Sequence, residues 1–105
     1  MSETQDRWEL WQGETLIGTL TIFDQDMFWF SALFEPTAAF EPYRPTFDEG
    51  NRVRTADDAD AWAAWHDKLN GLGLHLVRLR DQAVASEFIL YIDGREAEFR
   101  PRFDT

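Results

Sequence analysis

The sequence predicts a single α+β domain: a strongly twisted antiparallel sheet of five to seven strands, partly closed on itself, with one α-helix packed on it. Three observations carry this. Short runs rich in aromatic and β-branched residues recur between turn-forming residues. One segment, about 56–69, has helical spacing between capping and stop signals. The early strands are apolar on both faces, so the sheet needs more cover than one helix supplies.

The chain of 105 residues is one domain by length, and its 44% hydrophobic content suffices for a core of its own. Residues 1–7 read as a flexible lead-in and 8–105 as the folded domain. Trp8-Glu9-Leu10-Trp11 and Thr15 to Phe23 are two strands joined at Gln12-Gly13-Glu14. Asp24-Gln25-Asp26-Met27 is the next turn, because short acidic and amide side chains bond their own backbone. A third strand runs from Phe28 to about Glu35, and Pro36 ends it.

Setting Phe23 opposite Phe28 places Ile22 opposite Trp29, Leu20 opposite Ser31 and Gly18 opposite Leu33. One face then carries Trp8, Leu10, Leu16, Leu20, Ile22, Trp29 and Leu33; the other carries Ile17, Phe23, Phe28, Phe30, Ala32 and Phe34. Neither face can stand in water along its whole length.

Residues 36–54 hold Pro36, Pro42 and Pro45 without clear periodicity, and read as a long ordered loop pinned by Phe40, Tyr43 and Phe47. The helix follows, with Thr55 as N-cap, Asp57, Asp58 and Asp60 in an acidic first turn, and Asn70-Gly71 as the stop. Ala59, Trp62, Trp65, His66 and Leu69 form its apolar stripe. Leu74 to Leu79 is a fourth strand. Glu87–Ile92 and Arg95–Arg102 form a hairpin about Asp93-Gly94, with Leu90 opposite Ala97 and Phe88 opposite Phe99. Glu96, Glu98, Arg100 and Arg102 face water.

A helix of about 14 residues is about 21 Å long and covers one sheet face. The covers for the other face stay open: the sheet curls on itself, or Phe40, Tyr43 and Phe47 fold across it, or part of the face is a groove for a ligand or partner strand. Under the last, the binding surface is Phe28, Trp29, Phe30 and Phe34 with Phe40, Tyr43 and Arg44, and Trp29 is its centre.

Little in the chain suits catalysis. The absence of cysteine removes disulfides, thiol nucleophiles and thiolate metal sites. His66 and Asp67 are adjacent on a helix and point roughly 100° apart, which no acid–base dyad tolerates. Turn chemistry explains Asp24-Gln25-Asp26, and the helix dipole explains Asp57, Asp58 and Asp60, which lack a calcium loop's ligand spacing. Ser2, Ser31 and Ser86 sit in no nucleophile elbow, and there is no glycine-rich phosphate loop. A non-enzyme without cofactor or metal is therefore expected. Arg44, Arg52 and Arg54 form the local basic cluster, able to hold an anion or to pair with Asp48 and Glu49.

A formal charge of −10, from 20 acids and 10 bases, repels phosphate backbones and attracts a basic protein. Nucleic acid is thus an unfavourable partner. No run approaches the roughly 20 apolar residues of a membrane span, and the amino terminus has no signal layout, so a cytoplasmic location without membrane contact is expected.

Gly18-Thr19-Leu20, Asp26 through Trp29, Phe34-Glu35-Pro36-Thr37, Phe40, Arg44-Pro45 and Asp93-Gly94-Arg95-Glu96-Ala97 together resemble a loose group of small uncharacterised bacterial proteins. The resemblance implies a bacterial domain of unknown function, with no established activity and no site residues to carry over. The leading functional expectation is a non-enzymatic, protein-binding module, immunity-like or regulatory. The alternative is a small-molecule or saccharide binder with an aromatic-lined cleft near Trp29, Phe40 and Tyr43 and Arg44 as its polar contact.

Overall fold

A computed structural model describes residues 6–102. Its strands are β1 (Arg7–Gln12), β2 (Thr15–Asp26), β3 (Trp29–Pro36), β4 (Leu74–Arg78), β5 (Ala83–Ala85), β6 (Glu87–Asp93) and β7 (Glu96–Arg102). They form one antiparallel sheet, curled as a half-barrel, in the order β5-β4-β1-β2-β3-β7-β6. Between β3 and β4 lie a 3₁₀ turn (Ala38–Tyr43) and two helices, α1 (Arg44–Thr55) and α2 (Ala59–Asn70). Of the expected lead-in, residues 1–5 lie outside the described residues; Arg7 already belongs to β1, and the Asp6 carbonyl accepts from the Ile22 amide at 2.8 Å.

The β2–β3 hairpin differs from the expected pairing in a way that decides which side chains are buried. Asp26 pairs with Trp29, so only Met27 and Phe28 form the turn, with Met27 at φ 58°. A bulge at Phe23 then adds one residue to β2 between the Ile22–Ala32 and Asp24–Ser31 pairs. Leu20 consequently faces Phe34 rather than Ser31. The slip is an odd number of residues, and an odd slip exchanges the two faces of a strand. Phe30, Ala32 and Phe34 join the core face, while Trp29, Ser31 and Leu33 turn outward.

That exchange builds the core. Trp8, Leu20 and Phe34 form one cross-strand row, Ile22, Ala32, Ala97 and Ile92 a second, and Phe30, Phe99 and Leu90 a third. Phe99 is fully buried, stacked on Phe30 at 5.3 Å and edge-on to Trp8 at 5.1 Å. The β6–β7 hairpin has the expected faces, but its turn is Gly94-Arg95 rather than Asp93-Gly94, and Leu90 faces Phe99. Positive φ at Gly94 (63°) alone of the two central residues is the signature of a II′ turn. The shift is even, so Phe88, Leu90, Ala97 and Phe99 keep one face.

The segment 36–54 is not a loop throughout. Thr37 opens it, its hydroxyl donating to the Leu16 carbonyl at 2.6 Å and accepting from the Ala39 amide at 3.2 Å. Phe40 then meets Phe34 edge-on at 5.0 Å and stacks on Phe47 at 5.8 Å inside the half-barrel. Pro45 suits the first turn of α1, where its missing N–H is no loss. The expected helix is α2, but its N-cap is Asp58, accepting from the Asp60 and Ala61 amides at 3.1 Å. Thr55 instead ends α1, and Asp57, at φ 52°, breaks the chain between the two helices.

The helices shield the edge strand β6. Asn51 Nδ2 donates to the Ile92 carbonyl at 2.8 Å, and His66 Nε2 lies 3.2 Å from the Phe88 carbonyl, a contact that needs its proton on Nε2. Both carbonyls point away from β7, where an open edge would otherwise invite pairing.

Candidate binding groove on the outer sheet face

Register places a set of polar and aromatic side chains together on the face opposite the core. Asp24, Ser31, Glu98 and Tyr91 form one cross-strand row, and Thr21, Leu33, Glu96 and Asp93 the next. Asp26 and Trp29 form the row beyond, toward the hairpin tip. The C-terminal half of α1 supplies the opposite wall through Asn51, Arg54 and Thr55. Two adjoining hollows of about 620 and 560 Å³ result, sharing Ser31, Arg54, Tyr91 and Glu98.

Tyr91 is the fixed point of this groove. Trp65 stacks on it at 5.5 Å and 8°, and Trp62 Nε1 donates to its hydroxyl at 2.7 Å. On its groove side Arg54 places its guanidinium carbon 4.0 Å from the ring centroid and its Nη2 2.8 Å from Glu98. Trp29 stacks nearly parallel to Tyr91 at 6.1 Å and 13°. A flat cation is therefore already held in the groove by an aromatic face and a carboxylate, the pairing expected of guanidinium.

The remaining charge is unbalanced. Asp24, Asp26, Asp93, Glu96 and Glu98 line the two hollows against Arg54 alone. Of these five carboxylates, only Glu98 takes part in an ion pair among the described residues. Single exposed pairs are worth little, but a one-sign lining above a low-dielectric aromatic floor focuses field and concentrates cations.

The seven residues expected to form a binding surface are scattered. Phe34 and Phe40 are core residues, 1% and 2% exposed. Phe30 is half-buried against Trp8 and Phe99, and Tyr43 packs on the same core. Arg44 is paired with Glu41 at 2.6 Å and lies over the Phe40 ring. That hydrogen bond holds the Glu41 carboxyl below its ordinary range. Phe28 is 64% exposed at the hairpin tip, under the Arg100 guanidinium. Trp29 alone lies in the groove. Sequence reasoning did not single out Tyr91, Asp24, Asp26 or Glu98 as groove residues; the alternation that put Glu98 on the wet face was the available signal for it.

A separate hollow of about 420 Å³, between Phe28, His66, Phe88 and Arg100, lies at the far end of β6 and β7 and runs to Arg102, the last described residue. Among the described residues no three histidine or acidic side chains are grouped to hold a metal ion, and no helix is long and apolar enough to cross a membrane. Comparison with protein-family models, with curated proteins and with solved structures returned no match.

Proposed function

We propose that this protein is a non-enzymatic binding module, immunity-like or regulatory, that recognises a basic protein partner through the outer groove. The observation that carries the reading is the groove's lining: five carboxylates and the aromatic rings of Phe23, Trp29 and Tyr91 against one arginine. The net charge of −10 steers such a partner in, and the rings supply contact area. A small-molecule cleft at Trp29, Phe40 and Tyr43 has less support, since Phe40 is buried and Arg44 is occupied by Glu41.

Affinity capture from the source cell at low and high salt tests this, with Trp29→Ala beside the wild type and circular dichroism as the folding control. The expected result is a basic protein retained by the wild type, released by salt, and bound at least about tenfold more weakly by the folded variant. Retention of acidic partners only, or binding indifferent to both salt and Trp29→Ala, contradicts the reading.

A further inference from the structure

We infer that the hairpin end of the groove is a subsite for an arginine side chain from an extended basic segment of the partner, its guanidinium lying on Trp29 and pairing with Asp24 and Asp26. This rests on the basic-partner reading above and names the group that is read.

The protein contains its own example of such a site. Arg54 sits over Tyr91, its guanidinium carbon 4.0 Å from the ring centroid, and pairs with Glu98 at 2.8 Å. Toward the hairpin tip the same components recur, among the described residues without a paired cation. Trp29 runs nearly parallel to Tyr91, and Asp24 and Asp26 flank it from β2. Their side chains leave the same face of the strand about 7 Å apart, close enough for one planar fork to be shared between them. Neither forms an ion pair among the described residues; Asp24 only accepts from the Gln25 amide next to it.

Among the described residues no nearby cation fills the position. Arg54 is engaged by Glu98, and Arg100 lies over Phe28 at 5.3 Å, lining the separate hollow. The open volume of about 560 Å³ bordered by Asp24, Asp26 and Trp29 leaves room for a long side chain. Three carboxylates would then face two guanidinium groups, so an incoming arginine meets net attraction even beside Arg54. An extended segment fits best, because its alternate side chains fall at the spacing of the outer-face rows.

Calorimetric titration with a short alternating Arg-Ser peptide, and with matched citrulline and lysine peptides, tests the subsite in phosphate-free buffer at about 50 mM salt, where screening is weaker than at physiological ionic strength. The variants are Asp24→Asn/Asp26→Asn and, as an equal charge change elsewhere, Glu14→Gln/Asp67→Asn, each checked for folding by circular dichroism. The arginine peptide should bind the wild type, and the citrulline peptide roughly tenfold or more weakly. Asp24→Asn/Asp26→Asn should lose roughly tenfold, and the remote pair less than about threefold. Equal loss in both double variants, or equal affinity for lysine and arginine, overturns the subsite while leaving recognition of a basic partner standing. Failure of every cationic peptide to bind overturns both.

Discussion

Replacing Phe99 by alanine is expected to remove about 3–5 kcal/mol of folding stability, the typical range for deleting a buried aromatic ring. Phe99 is fully buried at the meeting point of three strands, between Phe30 and Leu90 in register and against the edge of Trp8. Its neighbours are in register on rigid strands, so they cannot close the void by moving independently. The ring pairs with Phe30 and Trp8 add to the simple area term. A chain of this length is stable by only about 5–15 kcal/mol, so the variant should unfold at a much lower urea concentration with an unchanged slope. Phe99→Leu should lose less than half as much, since it keeps most of the volume. A loss under about 1 kcal/mol for Phe99→Ala would mean that the core is not arranged as described.

The second large effect is at Gly50, where helix propensity and packing oppose each other. Alanine in mid-helix gains about 1 kcal/mol over glycine. A Cβ there, however, would sit 2.3 Å from Trp65 Cζ2 and 2.6 Å from its Cε2. The Trp65 ring has nowhere to go: it is 1% exposed, stacked on Tyr91, and its Nε1 donates to the Thr46 carbonyl at 2.8 Å. Overpacking of about 1–3 kcal/mol, with loss of a hydrogen bond worth about 1 kcal/mol, exceeds the propensity gain. Gly50→Ala should therefore destabilise by roughly 2 kcal/mol. Combining it with Trp65→Phe, which removes the clashing part of the ring, should cost less than the sum of the single changes in a double-mutant cycle. Strict additivity would contradict the contact. Because Trp65 supports Tyr91, Gly50→Ala should also disturb the groove floor.

The fold class was legible in the sequence because its signals are local. The Gly71 stop, the alternation in the β6–β7 hairpin and the stripe of Trp62, Trp65, His66 and Leu69 each lie within a few residues. The helix α1 was hidden because only Phe47 and Gly50 are buried in it, and glycine is a poor helix former chosen here for the Trp65 contact. Register across β2 and β3 was illegible for a different reason. It depends on a one-residue bulge at Phe23 and on a left-handed residue at Met27, a conformation side chains other than glycine seldom adopt. That single uncertainty governed the site: with the expected pairing, Trp29 shares a face with Leu20 and Ile22, and Phe30 and Phe34 belong to the surface. Tyr91 and Glu98 pair across the local β6–β7 hairpin, but Arg54 joins them only because α1 packs beside β6.

The apolar run at the hairpin now divides into distinct parts. Phe30 and Phe34 serve the core, Trp29 the groove, and Phe23, Met27 and Phe28 remain 57%, 75% and 64% exposed around the tip. The central claim concerns the surface beside that tip, and amide NMR tests it most directly. On titrating the arginine peptide at low salt, shifts should cluster at Asp24, Asp26, Ser31 and Glu98 and at the Trp29 indole N–H, and should fade as salt is raised. Shifts that cluster instead around His66, Phe88 and Arg100, or the absence of any saturable shift, would contradict it.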